Sequence, residues 1–245
     1  MKRYEEIDIL KGIAVICMII FHFFYFPNQY GFKEIEYDTV ALKLIARIAQ
    51  IIFITCVGIN LVFAKKKNSN YDTHLKRVMK IAFFAILMSL FTYYVFGERY
   101  VKFGILHFVA FSSLILFMYV DDLKTMKLIT SIFLFLYLLN HLKPELFHIV
   151  PQPFAFISGF YNDRYSAVDH FPILPWILLI CLGVFIGNHL AENDVTTPRY
   201  LIDNKLSDIL GKVGKKSLEI YAVHWLILYV IYCIVYPKYI RKVYP

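Results

Sequence analysis

The first apolar segment of the chain contains three residues whose types and spacing suit acid–base chemistry. Asp8 and Lys11 lie near its start, and His22 follows Lys11 by eleven residues. In an α-helix eleven residues make about three turns and about 16 Å of rise, so the two side chains share a face. Asp8, three residues before Lys11, lies on that face as well. Imidazole exchanges protons near neutral pH, so His22 is the candidate base of this stripe.

The same three residues also have a structural interpretation. Lys11 can extend to the lipid headgroups, Asp8 favours a helix N-terminus, and His22 can be a hydrogen-bonded core or interfacial residue. The sequence alone leaves both the structural and the chemical interpretation open for each residue.

Five further polar residues lie in or beside later apolar segments. Arg47 stays charged, so inside a protein it needs a carboxylate or a bound anion. Asp169 is the candidate for that carboxylate, or for holding a histidine ring in one tautomer. A structural ion pair is the plain interpretation of Arg47 and Asp169, and an interfacial ring that of His107 and His170. For His224, in the middle of a segment, the plain interpretation is a hydrogen bond to a neighbouring helix.

The composition indicates the elements that must position these residues. The chain has 245 residues, of which 59% are hydrophobic and 18% charged, which is too apolar for a soluble globule. No segment has the alternation of a membrane β-barrel, and in hydrocarbon the remaining way to satisfy the backbone is the helix. The predicted fold is therefore all-α: a polytopic integral membrane helical bundle, forming one domain over residues 1–245.

About seven membrane helices are predicted from the apolar stretches, near residues 7–26, 41–64, 81–96, 103–120, 126–139, 172–190 and 218–236. Basic residues crowd the connections after the second span and before the last. This pattern predicts a cytoplasmic N-terminus. The basic tail, residues 237–245, then lies on the wrong side, a conflict that one missed or miscounted span would resolve. Residues 141–169 are predicted to form an outer loop with a partly interfacial helix.

The charge and the cysteines exclude some classes of partner. The net charge of +8 is explained by membrane topology and anionic headgroups, and it forms no soluble basic surface for nucleic acid. The four cysteines lie inside predicted spans at no metal-ligand spacing, so packing is expected and no metal site.

Several stretches resemble known membrane acyltransferases. EIDILKGIAVICMIIFHFF resembles their first-helix signature, in which a basic residue and a histidine are separated by ten positions; Lys11 and His22 fit, with Lys where Arg is commoner. IIFITCVGINL, FGILHFVAFSSLI, DHFPILPWILLICLGVFIGN and GKKSLEIYAVHWLIL follow in the order seen in prokaryotic proteins similar to the catalytic domain of heparan-alpha-glucosaminide N-acetyltransferase. The resemblance extends from Arg3 to about Tyr229.

This resemblance implies an acyltransferase of the cell membrane. It would move an acetyl or other short acyl group from cytoplasmic acetyl-CoA to a hydroxyl or amine, often of a sugar, at the outer face. His22 would be the general base, or a nucleophile that forms an acyl-imidazole. The other expected site residues are Asp8 and Lys11 at the charged end of coenzyme A, Arg47 or His107 at the oxyanion, Asp169 in the catalytic set, and His170, Trp176 and His224 at the acceptor. His22 is expected to line a cavity with Lys11 toward its inner mouth and Asp169 and Trp176 toward its outer mouth.

Two alternatives come from other classes. A b-type cytochrome would use axial ligands from His22, His107, His170 and His224. A small transporter would also carry intramembrane charges, although neither inverted repeats nor paired broken helices are evident. The acceptor, the acyl chain length, the choice between direct transfer and an acyl-histidine, and the oligomeric state, homo-oligomers included, are left open.

Overall fold

The computed structural model describes residues 4–29, 39–67, 70–160, 167–193 and 204–236, and the regular structure in these ranges is helical. The predicted all-α fold is confirmed. The helices are α1 (Glu5–Gln29), α2 (Val40–Lys66), α3 (Tyr71–Phe96), α4 (Ile105–Leu116), α5 (Leu123–Leu142), α6 (Gln152–Ser158), α7 (Ile173–Glu192), α8 (Lys205–Lys215) and α9 (Ser217–Val235), with 3-10 turns at Gly97–Arg99 and Pro144–Phe147.

Six of these helices are long and apolar enough to cross a membrane: α1, α2, α3, α5, α7 and α9. The fourth predicted span is the shorter apolar helix α4, whose 12 residues rise about 18 Å. The polytopic helical bundle is thus confirmed, with α4 as the span that falls short of bilayer length. The basic tail lies outside the described residues.

The predicted start of the third span changes. Helix α3 begins at Tyr71, ten residues before the predicted start, because the polar stretch that follows Asn70 continues the helix. The Asn70 side chain caps it by accepting a hydrogen bond from the Thr73 amide (3.0 Å). In the predicted outer loop, the described residues include a 3-10 turn and the short helix α6.

Large apolar side chains point outward along the long helices. Exposed examples are Ile20 and Phe23 on α1, Phe83 and Leu90 on α3, and Phe135 on α5. Contiguous exposed apolar surface is costly in water and is what a lipid-facing helix requires.

The helices form two compact units, here named the central unit (residues 54–195) and the terminal unit (residues 2–53 and 196–245). In the central unit α3 packs on α4, and α7 packs on α4, α5 and α6. Its core contains the fully buried Phe108 and Ile180. Buried polar groups are tied in as well, since the Asn188 amide donates to the Val120 carbonyl (2.7 Å). The prediction of a single domain stays a prediction.

In the terminal unit α1 packs on α8 and α9. The contact with α8 is a close backbone approach at two glycines: a Cβ at Gly12 would overlap the Leu210 carbonyl, and a Cβ at Gly214 would overlap the Asp8 carbonyl. Small residues permit this spacing because they carry no side chain into the crossing. Since α8 leads directly into α9, the same contact fixes where α9 starts beside α1.

Candidate active site

The cationic end of the predicted stripe is an ion pair in the terminal unit. Lys11 Nζ lies 2.7 Å from Asp8 Oδ1, and the two side chains are only 16% and 5% exposed. Asp8 is one of three acidic residues in the first turn of α1, where a carboxylate is favoured by the helix dipole. The charge of Lys11 is therefore compensated within its own helix.

The other end of the stripe is a pair of hydrogen-bonded histidines. His22 Nδ1 on α1 lies 2.9 Å from His224 Nε2 on α9, and the ring centroids are 5.0 Å apart. His224 Nδ1 lies 2.6 Å from the carbonyl oxygen of Tyr221, one turn earlier in α9. The predicted hydrogen bond between His224 and a neighbouring helix is present in the structure, and the partner residue is His22 on α1.

The chain of contacts determines where the protons of two neutral rings lie. A carbonyl oxygen only accepts, so His224 Nδ1 must carry the hydrogen that bonds to Tyr221. His224 Nε2 then has a lone pair and accepts from His22 Nδ1–H. The remaining nitrogen of His22, Nε2, is left unprotonated, which is the form that can take a proton from a substrate or attack a carbonyl.

Buried rings enclose this pair on the α1 and α9 sides. Phe26 stacks on His22 with centroids 4.7 Å apart, and Trp225 lies tilted against it at 5.1 Å. Phe26, His224 and Trp225 are buried, whereas His22 is half-buried and keeps accessible surface. The Nε1–H of Trp225 is buried and has no hydrogen-bond acceptor among the described residues.

Arg47 is also in the terminal unit, on α2. It is exposed, and its Nη1 donates to Gln50 Oε1, one turn along the helix, at 3.1 Å. Its expected role at an oxyanion stays a prediction.

Three of the expected residues lie in the central unit around the start of α4. Asp169 Oδ2 accepts from the Ile105 amide at 3.3 Å, so the carboxylate caps this helix. Gly104 makes room for it, because a Cβ there would overlap the carboxylate. Burial raises the pKa of Asp169 to about 6, against the opposing effect of the Ile105 hydrogen bond.

His107 is bonded through both ring nitrogens. Its Nδ1 accepts from the Gly104 amide (3.3 Å), and its Nε2 lies 3.3 Å from Ser89 Oγ, which itself donates to the Val101 carbonyl (2.6 Å). The ring therefore ties α4 to α3, and its expected role at an oxyanion stays a prediction.

His170 and Trp176 pack on neighbouring phenylalanines. His170 Nε2 donates to the Phe156 carbonyl (2.8 Å) and the two rings stack at 3.8 Å; burial lowers the pKa of this histidine, and that hydrogen bond opposes the effect. Trp176 is half-buried against Phe171, with centroids 4.8 Å apart. The structure thus brings Asp169, His107 and His170 together in one unit and His22 and His224 in the other, and the shared cavity stays a prediction.

A comparison with protein families identifies the family of the chain. The family model for the catalytic region of heparan-alpha-glucosaminide N-acetyltransferase matches residues 3–226. The chain belongs to this family. It is therefore a membrane acetyltransferase at the level of the family. No curated protein matches it, and neither does a solved structure.

Sequence analysis missed two groups that lie beside the histidine pair. The Tyr221 carbonyl that orients His224 is a backbone atom and has no sequence signal. Trp225 did have one, since it lies in the middle of an apolar segment, whereas membrane tryptophans concentrate at the interfaces.

Proposed function

We propose that this acetyltransferase moves an acetyl or other short acyl group from acyl-CoA to a hydroxyl or amine, with His22 as the general base. The observation that carries the proposal is the hydrogen-bond order from Tyr221 through His224 to His22, which leaves His22 Nε2 as the basic nitrogen. A base held in one tautomer by a second group is the arrangement that acyl transfer repeatedly uses.

The proposed reaction balances without a further reactant. The acceptor oxygen or nitrogen attacks the thioester carbonyl carbon while its proton passes to His22 Nε2. The tetrahedral intermediate collapses, the carbon–sulfur bond breaks, and the imidazolium returns the proton to the leaving thiolate of coenzyme A. If His22 Nε2 attacks first, the carbon–sulfur bond breaks, the coenzyme A thiolate leaves, and an acyl-imidazolium remains. The acceptor then attacks that carbonyl, the carbon–nitrogen bond to His22 breaks, and the acceptor's proton passes to the thiolate; rapid quenching and peptide mass spectrometry would detect the acylated histidine.

The donor is proposed to lie along the stripe of α1. Lys11 and His22 are about 16 Å apart along the helix axis, and the Lys11 ammonium keeps hydrogens beyond the one directed at Asp8. We place the anionic end of coenzyme A at Lys11 and the thioester at His22. In this proposal the protein lies in the cell membrane with its N-terminus in the cytoplasm, and a sugar-type acceptor reaches His22 from the outer side.

The cytochrome alternative meets a geometric obstacle in the terminal unit. His22 Nδ1 and His224 Nε2 are hydrogen-bonded at 2.9 Å. An iron ligated by both would need about 2 Å to each nitrogen, on opposite sides. No observation favours the transporter alternative over the enzyme.

The test is turnover by purified protein in lipid nanodiscs. Acetyl-CoA is offered with a panel of amino sugars and neutral sugars, and acetylated product is measured by mass spectrometry. We expect His22→Ala to lower kcat by at least about a hundredfold, the scale of a missing general base. His141→Ala, which removes an exposed histidine at the end of α5, is the matched control and should turn over normally. Near-normal turnover by His22→Ala would remove His22 from the mechanism.

A further inference from the structure

The buried tryptophan beside the histidine pair has an N–H donor that no described residue accepts. Trp225 is 2% exposed, and its Nε1–H has no acceptor in the ranges that the structure describes. Indole nitrogen only donates, and a buried donor without a partner costs free energy. Buried tryptophans normally find an acceptor, so this N–H is a candidate donor to a group of the bound substrate.

The position of the ring identifies that group. The indole contacts the His22 imidazole, with centroids 5.1 Å apart and planes inclined by 56°, and it packs on Phe26 at 4.3 Å. A thioester carbonyl carbon within reach of His22 Nε2 brings its oxygen into the same small volume. That oxygen is an acceptor, and it gains negative charge when the carbon becomes tetrahedral.

We propose that the Nε1–H of Trp225 donates to the acyl carbonyl oxygen and stabilises the oxyanion of the tetrahedral intermediate. The inference rests on the proposed function of His22. No bond to Trp225 is made or broken: the electron pair of the carbonyl moves onto oxygen as the acceptor attacks, and it returns when the carbon–sulfur bond breaks.

The chemistry of indole suits this task. Its nitrogen neither ionises nor accepts a proton at neutral pH, so it does not compete with His22 for the proton of the acceptor. Its apolar surroundings strengthen a hydrogen bond to developing charge. Of the two residues first expected at the oxyanion, Arg47 is exposed with its Nη1 on Gln50, and both ring nitrogens of His107 are hydrogen-bonded. Their expected roles stay predictions beside this one.

The N–H is enclosed by neighbouring side chains in this structure. A carbonyl oxygen therefore reaches it only if the rings around His22 shift as the thioester enters. Such tightening on substrate binding is common for catalytic hydrogen bonds. The chain has two tryptophans, so the environment of Trp225 can be followed by fluorescence when the donor binds.

The experiment compares Trp225→Phe with Tyr232→Phe in the acetyl-transfer assay. Trp225→Phe keeps an aromatic ring and removes the N–H, and we expect kcat to fall by about 10²–10³-fold with little change in the KM for acetyl-CoA. Tyr232→Phe is the matched control, because it removes a hydroxyl that donates from α9 to the Phe23 carbonyl of α1. It should lower the melting temperature but keep most of kcat.

Two further measurements separate chemistry from packing. The benzothiophene analogue of tryptophan at position 225, with sulfur in place of N–H, should reproduce the kcat loss at an unchanged shape. Binding of a non-hydrolysable acetyl-CoA analogue should change the tryptophan emission of the normal protein and of Trp176→Phe, but not of Trp225→Phe.

The outcomes distinguish this inference from the proposed function. Loss of kcat in Trp225→Phe and in the sulfur analogue, with Tyr232→Phe active, supports the oxyanion role. Near-normal kcat in either Trp225 variant, or equal losses in Tyr232→Phe, overturns it, while a large effect of His22→Ala keeps the general base. Failure of the normal protein to transfer acetyl to any acceptor overturns the proposed function, and normal turnover by His22→Ala removes His22 from the mechanism and this inference with it.

Discussion

His224 is expected to work through His22, and its replacement gives a graded prediction. His224→Phe removes the acceptor that holds the hydrogen on His22 Nδ1, so the ring becomes free to carry its proton on Nε2, where it cannot act as a base. A net hydrogen bond of about 0.5–1.5 kcal/mol corresponds to roughly a 2- to 13-fold change in the tautomer population. Because kcat follows the fraction of His22 with an unprotonated Nε2, which falls by no more than this ratio, we expect kcat to fall by about two- to tenfold, well short of the loss in His22→Ala.

His224→Gln supplies the conservative variant. Its amide oxygen can accept from His22 Nδ1–H, so it should restore part of the lost kcat. The KM for the acceptor should stay unchanged in both variants, because a positioning residue does not touch the substrate. Nitrogen NMR of histidine-labelled protein should show His22 Nε2 as an unprotonated nitrogen in the normal protein and a tautomer mixture in His224→Phe.

Two results would refute this reasoning about His224. If His224→Phe raises the acceptor KM and leaves kcat intact, His224 is a substrate-binding residue, as first expected from the sequence. If His224→Phe is as inactive as His22→Ala and His224→Gln rescues nothing, His224 takes part in the chemistry directly.

Three further predictions concern the ion pair, the buried carboxylate and the glycine crossing. If Lys11 holds the donor, Lys11→Met should raise the KM for acetyl-CoA in steady-state kinetics. Asp8→Asn releases the ammonium from its ion pair and should lower that KM. If both variants keep the normal KM and only reduce the amount of inserted protein, the ion pair is structural. The pKa of Asp169 is about 6 in the folded protein against 3.8 for the unfolded chain, so ionising it lowers the free energy of unfolding by ~3 kcal/mol. The melting temperature should therefore fall as the pH rises from about 4 to 6. The melting temperature of Asp169→Asn should not show this pH dependence. Gly214→Ala should lower the free energy of unfolding by about 1–3 kcal/mol, because the new Cβ overlaps α1. Gly211→Ala is the control and should melt normally, since a Cβ there meets no atom closer than 3.9 Å. Equal melting temperatures of the two variants would contradict the close crossing of α1 and α8.

Much of the fold followed from hydropathy because in a bilayer the backbone must be helical. Six of the predicted spans coincide with helices of bilayer length, and errors occurred where hydropathy carries little information. The start of α3 was misplaced because polar residues after Tyr71 continue the helix. The α1–α8 crossing also gave no hydropathy signal, because it depends on the absence of side chains at Gly12 and Gly214.

The candidate site was predictable only within one helix. Helical spacing placed Asp8, Lys11 and His22 on one face, and the close approach of Asp8 to Lys11 follows from their separation of three residues. The pairing of His22 with His224 joins positions 202 residues apart, and periodicity does not reach across that separation. For Asp169, the sequence suggested a carboxylate that pairs with Arg47 or holds a histidine ring. It could not indicate the hydrogen bond from the Ile105 amide, because every residue except proline carries such an amide.

The identity of the reactive nitrogen depends on one more level of structure. A sequence can nominate His22 as a base, yet an imidazole has two nitrogens, and only the hydrogen-bond partner of one decides the state of the other. Here the direction of both hydrogen bonds, from His224 to Tyr221 and from His22 to His224, is set by the backbone carbonyl of Tyr221, which cannot donate. A substitution that moves the Tyr221 carbonyl without touching either histidine should therefore lower kcat through the tautomer of His22.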